Sequence, residues 1–250
     1  MGLGLTAGAR AGGVRAKQVY YDFERFGYTD SNFILDPDNW FMAAKITKQG
    51  LWRVTYGEVD GLTRDEMVAR QPDRFRTMLP GRPQPHEYTL AEKGISPYRV
   101  HQRCAERMRV GRFLLAADAA HLCNPFGGLG LTGGIVDVGG LHECLSGIFR
   151  NRADESILDT YDDVRRQKYR DVVDPSSCAM FRRMFAVHPD RALDEDGFLI
   201  LRLCVEAESD RDKLTEMTMG AQALGYDITK HYHALEADDD DGANTRGCFE

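Results

Sequence analysis

The first part of the chain places apolar residues at consecutive or alternating positions, which is the pattern of β-strands. Four runs of this kind are predicted as strands, over residues 17–23, 32–35, 40–47 and 51–56. The last two are separated by Lys48-Gln49-Gly50, and a three-residue loop that ends in glycine is typical of a hairpin. The pattern therefore predicts a β-rich block that contains at least one antiparallel hairpin.

Helical spacing of apolar residues replaces the strand pattern further along the chain. A helix is predicted over residues 63–79, where Thr63 and Glu66 have the spacing of a capping box. Two more helices are predicted over 132–149 and 155–173, and the remainder to residue 224 is expected to be helical with a weaker pattern. The glycine-rich residues 1–16 are expected to form a loose leader, and the acidic residues 226–250 a disordered tail.

Composition and charge exclude several classes of function. The 250 residues carry 32 Lys and Arg against 39 Asp and Glu, a net charge of −7, which argues against a nucleic-acid partner. The chain contains no apolar run long enough to span a membrane and no signal-peptide pattern, so we expect a cytoplasmic protein. Its six cysteines form no C-x-x-C pair, so neither a metal site nor a disulfide framework is expected.

Residues 111–141 carry the features of a ligand site. An apolar run over 111–116 is predicted as a buried strand, and Asp118, two residues after it, places a carboxylate at the edge of the strand. A glycine-rich loop with Pro125 follows, and then a helix whose first N–H groups lack partners. This combination suits a ligand with a hydroxylated chain and a delocalised anion. A tight strand-to-helix turn without a ligand is the alternative.

The same segment resembles the second flavin-binding motif of the FAD-dependent aromatic hydroxylases, the flavoprotein monooxygenases typified by p-hydroxybenzoate hydroxylase. The family has a strand, Gly-Asp-Ala-Ala-His, a proline and a glycine-rich loop that enters a helix. This chain has Ala-Asp-Ala-Ala-His at 117–121, then Pro125, then Gly-Gly-Leu-Gly-Leu at 127–131. The departure is Ala117, where the family usually has glycine. The resemblance also covers 19–58, 96–101 and 158–166.

The resemblance implies an α+β fold that is part of a p-hydroxybenzoate-hydroxylase-like FAD and substrate fold. A β-rich substrate sheet would occupy 17–100, and a partial FAD-binding domain with the strand–glycine-loop–helix motif and C-terminal helices would occupy 101–225. FAD is the implied cofactor. Asp118 would bond its ribityl hydroxyls, Pro125 would lie beside the isoalloxazine ring, and the helix start would hold the pyrimidine edge. The implied cofactor-binding residues are Asp118, Pro125, Gly128, Gly130, Leu131 and Thr132.

The implied reaction is hydroxylation of a small phenol-like or polyketide-type aromatic, with NAD(P)H as reductant and O2 as oxidant. Arg53 and Tyr56 point to opposite faces of one predicted strand, so one of them is a candidate to face the substrate. Pro125 is the third candidate, because the motif places it on the substrate side of the flavin. For Arg53 and Tyr56 a packing or surface role is the alternative. His121 is expected to help fix the loop. Arg165 and Arg166 are expected to form ion pairs on the helix surface with Asp162 and Asp163, with binding of an anion as the alternative.

The opening βαβ unit of the family, with its G-x-G-x-x-G, has no convincing counterpart here. Gly2-x-Gly4-x-x-Ala7 has similar spacing, but no strand precedes it, so we reject it. We therefore expect an incomplete flavin hydroxylase that forms a homodimer or meets a separate chain supplying the N-terminal half. Two other classes stay open: a non-catalytic partner subunit, and a cofactor-free isomerase or cyclase that reuses the substrate pocket.

Overall fold

A computed structural model describes residues 13–59, 61–91, 96–98, 100–186, 205–206 and 209–233. Its described part combines an antiparallel sheet, formed by the first half of the chain, with helices from the second half. The α+β class predicted from the sequence is therefore confirmed. The domain limits proposed at residues 16, 100 and 225 stay predictions.

Six strands form the main sheet: β1 (Gly13–Tyr20), β2 (Ser31–Ile34), β3 (Phe41–Lys45), β4 (Leu51–Glu58), β5 (Thr89–Leu90) and β6 (Ser96–Tyr98). The order is β2-β3-β4-β1-β5, β6 also pairs with β1, and every pairing is antiparallel. The predicted hairpin is confirmed as β3 and β4, and Gly50 ends its loop with φ of +82°. Residues 13–16, predicted as leader, belong to β1, whereas residues 1–12 lie outside the described residues.

One face of the sheet packs against helix α1 (Arg64–Met78). Trp52, Val54 and Tyr56 of β4 are buried on this face in one cluster with Phe75 of α1. The predicted capping box at the start of α1 is confirmed, since the Thr63 hydroxyl accepts from the Glu66 amide and the Glu66 carboxylate accepts from the Thr63 amide. The sheet and α1 thus share one hydrophobic core.

The opposite face of the sheet meets the second half of the chain through an aromatic cluster. Trp40 lies against Gly57 of β4, where a Cβ would come within 2.7 Å of the indole ring. Phe126 contacts Trp40 edge-on, with ring centroids 5.5 Å apart, and stacks on Phe181 at 4.8 Å. Because Phe126 lies in the glycine-rich loop, this cluster holds the loop against the sheet.

Four short strands follow: β7 (Arg103–Cys104), β8 (Arg109–Val110), β9 (Phe113–Leu114) and β10 (His121–Leu122), with β7 paired to β10 and β8 to β9. The prediction of a buried strand over 111–116 is wrong. Gly111, with φ of +59°, turns the chain into a β8–β9 hairpin, and Phe113 is 82% exposed. Within the described residues β9 pairs only with β8, so no sheet encloses the run.

The helical half contains α2 (Leu129–Phe149), α3 (Ile157–Lys168), α4 (Asp174–Arg183) and α5 (Arg211–Met219). Helix α2 begins earlier than predicted because Gly128, with φ of +65°, already caps it. The helix predicted over 155–173 continues through a π-helical turn, Tyr169–Val173, into α4. Residues 187–204 lie outside the described residues, and no described helix has the length and apolar character needed to cross a membrane.

Residues 226–233, predicted as part of a disordered tail, pack against α2 instead. Ile228 is only 1% exposed and lies over Gly140. Tyr232 covers Gly147, and its hydroxyl donates to the Glu143 carbonyl at 2.5 Å. The two glycines make room on α2 for these side chains. The acidic composition of the segment gives no sign of this packing, so composition alone predicted disorder. Residues 234–250 lie outside the described residues.

Candidate functional site

The loop that carries Asp118 is fixed by two tyrosines of the α3 and π-helical segment. The Tyr161 hydroxyl donates to the Leu115 carbonyl at 2.9 Å, just before the loop. The Tyr169 hydroxyl donates to the Leu122 carbonyl at 2.8 Å, just after it. Burial is the main reason that the pKa of each tyrosine is raised, so both remain protonated donors. The loop is thereby held at both ends.

A buried network of charged groups lies beneath the same loop. Asp137 of α2 is fully buried, and its carboxylate accepts from the Arg165 Nε at 2.5 Å and from the Ala117 amide at 2.9 Å. His121 Nε2 lies 2.8 Å from the same carboxylate. Burial by itself would raise the pKa of Asp137, but these hydrogen bonds outweigh it and the pKa is lowered. Asp137 is therefore an ionised group that ties the loop to α2 and α3.

Arg165 and Arg166 have different partners, although they are neighbours on α3. Arg166 is half-buried and pairs with the buried Asp162 at 2.5 Å and with the exposed Asp163 at 2.6 Å. Arg165 points to the interior, where it also donates to the Leu224 carbonyl at 2.7 Å. Successive helical residues point in directions about 100° apart, so one of the two faces inward. The expectation that both arginines form surface pairs is wrong for Arg165.

Ala117 adopts a backbone conformation that favours glycine. Its φ is +54°, in the left-handed region where a Cβ approaches the neighbouring carbonyl. A glycine at this position, as the family pattern has it, would adopt the same conformation without that strain. The alanine stays there because its amide is held by Asp137 and its carbonyl accepts from the Ala120 amide at 2.8 Å.

The Asp118 side chain is exposed at the edge of an open groove of about 800 Å³. Its carboxylate accepts no hydrogen bond from any residue in the described part of the chain. The groove has apolar walls and a glycine-rich rim, and its lining is formed by Ala117, Asp118, Leu122, Cys123, Asn124, Pro125, Gly128, Gly130, Leu131, Gly134, Ile135 and Val138. Asp118, Pro125, Gly128, Gly130 and Leu131 thus line one groove, and their predicted role in binding the cofactor stays a prediction.

The N-terminus of α2 opens into this groove. Gly128 is its N-cap, so the amides of Leu129, Gly130 and Leu131 have no carbonyl acceptor within the helix. Thr132 is the first residue whose amide has such an acceptor, the Gly128 carbonyl four residues before it, and its hydroxyl also bonds to that carbonyl at 3.4 Å. The amides without a helical acceptor are therefore those of 129–131, one position earlier than the predicted 130–132. A role for Thr132 stays a prediction.

Pro125 begins the turn between Asp118 and α2. It is the first residue of a 3-10 turn, Pro125–Gly127, where the missing N–H of proline costs no hydrogen bond. The Asn124 side chain caps this turn by accepting from the Phe126 amide at 3.1 Å. The turn presents Pro125 to the groove while Phe126 is buried in the aromatic cluster behind it.

These groups fit the flavin part of FAD. An unpartnered carboxylate can accept from the hydroxyls of a ribityl chain, and the free amides at the helix start suit the pyrimidine edge, where negative charge develops on reduction. The exposed Leu131, Ile135 and Val138 give an apolar wall of the kind that a flat ring covers. The groove is lined without a Cβ at Gly128, Gly130 and Gly134, which leaves room for close approach.

Arg53 and Tyr56 lie on opposite faces of β4, as their spacing predicts. Tyr56 is buried under α1, edge-on to Phe75, and burial raises its pKa to about 12. Arg53 is exposed on the face that carries Gly57, which is the face that meets the glycine-rich loop. Neither residue lines the groove at Asp118, and the structure brings only Arg53 to the same side of the sheet as that loop.

Reasoning from the sequence missed Asp137, the buried carboxylate beneath the Asp118 loop. It stands in the helix segment Leu-Gly-Leu-Thr-Gly-Gly-Ile-Val-Asp-Val-Gly-Gly-Leu, residues 129–141, where it is the only charged residue. A lone acid among small and apolar helical residues indicates a buried carboxylate that needs donors. His121 and Arg165, noted for other reasons, are those donors.

Comparison with known proteins agrees with this geometry. The family described as FAD binding domain matches residues 32–176. Para-nitrophenol 4-monooxygenase of Pseudomonas sp. (strain WBC-3) is 39% identical over 209 residues, which are 84% of this chain and 50% of that protein. The 6-hydroxy-3-succinoylpyridine 3-monooxygenase HspB of Pseudomonas putida (strain DSM 28022 / S16) is 34% identical over 174 residues, 70% of this chain and 43% of that protein.

A solved structure supports the same assignment. The crystal structure of p-nitrophenol 4-monooxygenase PnpA from Pseudomonas putida DLL-E4 superposes with a TM-score of 0.73 at 38% identity, over 87% of this chain and 53% of that chain. The chain thus spans about half the length of the relatives it matches. The matched family covers more than half of the residues and includes the groove, the Asp118 loop and α2. The chain belongs to the family of FAD-dependent aromatic hydroxylases, whose cofactor is FAD.

Proposed function

We propose that this chain forms the flavin-facing and substrate-facing part of a monooxygenase that hydroxylates a phenol-like aromatic, with NAD(P)H as reductant and O2 as oxidant. FAD, when bound, supplies the redox chemistry that lets dioxygen react with an aromatic ring. The protein supplies binding, orientation and electrostatics. The relatives support a phenolic substrate, because the name of one of them specifies para-nitrophenol.

The observation that carries the proposal is the Asp118 carboxylate, which has no hydrogen-bond partner among the described residues and faces the groove next to the first amides of α2. A carboxylate and a row of N–H donors offer complementary partners to a hydroxylated chain and to an electron-rich ring edge. Asp118 would accept from ribityl hydroxyls, and the amides of Gly130 and Leu131 would donate to the pyrimidine edge. Pro125 would present an apolar surface on the substrate side of the ring.

Arg53 is the residue of the sheet that we propose to face the substrate. Its guanidinium is exposed on the loop-facing side of β4 and has no ion-pair partner among the residues the structure describes. A phenol is more easily held in position as its phenolate, and a nearby guanidinium favours the anion. Tyr56 is not proposed, because it lies on the other face, in the core.

Titration of the purified chain with FAD tests the flavin part of the proposal. We expect saturable binding, followed by flavin absorption and fluorescence. Asp118→Asn should weaken it by about tenfold or more, since a charge-assisted acceptor is replaced by a neutral amide. Asp163→Asn, which changes an exposed carboxylate on α3, is the matched control and should leave the affinity within about twofold.

Two results would overturn the assignment of this groove: wild-type protein that binds no FAD, or an Asp118→Asn variant that binds it as tightly as wild type. The hydroxylase part is tested with the FAD-loaded protein, NADPH, a phenol and isotopically labelled O2. Label in the aromatic product supports the proposal. Tight FAD binding without any labelled product would favour the alternative of a flavin-binding partner subunit.

The Arg53 assignment has its own test. Binding of 4-nitrophenol to the FAD-loaded protein can be followed by the visible absorption of the phenolate. Arg53→Met should weaken this binding several-fold and leave FAD affinity unchanged, because the residue lies outside the Asp118 groove. Arg76→Met, on the exposed side of α1, is the control. Equal phenolate binding by both variants would remove Arg53 from the site.

A further inference from the structure

We propose that Asp137 is a positioning residue for the Asp118 loop: its buried carboxylate holds the Ala117 backbone and the His121 ring, and thereby aims Asp118 into the groove. This inference rests on the proposed function, since it assigns a role toward the flavin. Asp137 itself lines no part of the groove, so it acts through the loop and not by contact with the cofactor.

The geometry at Asp137 leaves little freedom to the loop. One carboxylate oxygen, Oδ2, lies 2.9 Å from the Ala117 amide nitrogen and 2.8 Å from His121 Nε2. An ionised carboxylate only accepts, so the proton on His121 must be on Nε2. The other oxygen, Oδ1, accepts from Arg165. Oδ2 thus contacts the loop and Oδ1 contacts α3, so rotation of the carboxylate would break hydrogen bonds with both.

The Ala117 contact bears directly on Asp118, the next residue. Ala117 is in the left-handed region at φ of +54°, which an alanine leaves unless its surroundings hold it there. The amide of Ala117 is the donor in the hydrogen bond to Asp137, so loss of that acceptor lets the φ of Ala117 relax. A change of φ at this position swings the Asp118 side chain away from its present place in the groove.

Asp162 offers a matched comparison on the neighbouring helix. It too is a largely buried carboxylate that accepts from a backbone amide, that of Met108 at 2.8 Å, and from an arginine, Arg166. It does not line the groove, and the hydrogen bonds described for it come from Met108 and Arg166, which lie outside the Asp118 loop. If buried carboxylates on these helices mattered only for stability, Asp137→Asn and Asp162→Asn would behave alike.

The experiment compares these two variants in FAD titration and in hydrogen exchange of the loop amides. Asp137→Asn keeps the volume of the side chain but leaves one acceptor oxygen where the carboxylate has two. The donors of the Ala117 amide and His121 on one side and of Arg165 on the other can then no longer all be satisfied, and the charge that strengthens these hydrogen bonds is lost. We expect FAD affinity to fall by about tenfold, and exchange of the Ala117 amide to accelerate by about tenfold or more in the cofactor-free protein. Asp162→Asn should leave both within about twofold of wild type.

His121 provides a second pair of variants in case Asp137→Asn does not fold. His121→Phe removes one loop contact but keeps the pairing of Asp137 with Arg165, and it should weaken FAD binding by a smaller factor. His121→Gln can still donate to Asp137 and should retain wild-type affinity. Folding of every variant is checked by circular dichroism before it is compared.

The outcomes separate this inference from the proposed function. If wild type binds FAD and the folded Asp137 and His121 variants bind it equally well, the positioning role is wrong while the flavin site stands. If Asp162→Asn weakens binding as much as Asp137→Asn, the effect is one of general stability and the inference is also wrong. If wild type binds no FAD, the proposed function fails, and unchanged exchange at Ala117 in Asp137→Asn would refute the loop contact independently.

Discussion

The methyl group of Ala117 packs against the bare Cα of Gly134 in α2. A Cβ placed on Gly134 would lie 2.8 Å from the Cβ of Ala117 and 3.4 Å from its Cα. The first distance is too short for two carbon atoms, whereas the second is close to an ordinary contact. Helix α2 can therefore lie this near to the Asp118 loop only because position 134 has no side chain.

Gly134→Ala should destabilise the protein, and the effect should depend on Ala117. The substitution gains about 1 kcal/mol of helix propensity but forces an overpacked contact that costs about 1–3 kcal/mol. In an Ala117→Gly background the 2.8 Å contact is absent, so the same change should be neutral or stabilising. Urea denaturation of the four proteins of this cycle measures the coupling, which we expect to be about 1–2 kcal/mol. Strictly additive effects would contradict the contact.

Ala117→Gly alone should stabilise the protein by about 0.5–1 kcal/mol. Glycine adopts a φ of +54° without steric cost, and this gain exceeds the entropy that glycine adds to the unfolded chain. Ala119→Gly is the control within the same turn, because Ala119 has no positive φ and should only lose stability. Thermal and urea unfolding of the two variants give opposite signs if the left-handed strain at Ala117 is present.

The stability of the protein should fall in acid partly because of Asp137. The folded-state pKa of this carboxyl lies below its ordinary value of 3.8, so its contribution is complete above the unfolded-state pKa and is lost as the pH falls through the folded pKa. The Asp137→Asn variant has no carboxyl group at this position, so this pH-dependent contribution to its stability is absent. Urea denaturation between about pH 6 and about pH 3 should give a shallower acid decline for the variant. Parallel curves would show that Asp137 has no lowered pKa.

Local patterns predicted the elements whose cause is local. The β3–β4 hairpin depends on Gly50 at the end of a short loop, and α1 begins where Thr63 and Glu66 cap it. The carboxylate, the glycines and the helix start line one groove for the same reason, since they lie within one continuous segment, and their role toward the cofactor stays a prediction. Residues that are close in sequence are close in space, whatever the arrangement of the rest of the chain.

Long-range pairing accounts for what the sequence did not show. The run over 111–116 is apolar enough for a buried strand, but burial needs neighbouring strands, and within the described residues it pairs only with β8. Arg165 looked like a surface arginine because its partner Asp137 is 28 positions away. Residues 226–233 looked disordered because the space they fill was made by glycines of α2, far earlier in the chain.

Two glycines on α2 should respond to alanine in opposite ways. Among the residues that the structure describes, nothing lies within 4 Å of a Cβ on Gly139, so Gly139→Ala should stabilise the protein by about 0.5–1 kcal/mol through helix propensity. A Cβ on Gly147 would come within 2.6 Å of the Tyr232 ring, which is held by its hydrogen bond to Glu143 and by Arg152 over its face.

Gly147→Ala must therefore displace Tyr232 and, with it, the segment that buries Ile228 against Gly140. We expect a loss of about 1–3 kcal/mol and faster proteolysis near residues 226–233, whereas Gly139→Ala leaves the cleavage rate unchanged. Limited proteolysis with mass analysis of the fragments, together with urea denaturation, makes both comparisons. If Gly147→Ala were as stabilising as Gly139→Ala, the packing of Tyr232 on α2 would be refuted, because propensity alone would then govern both positions.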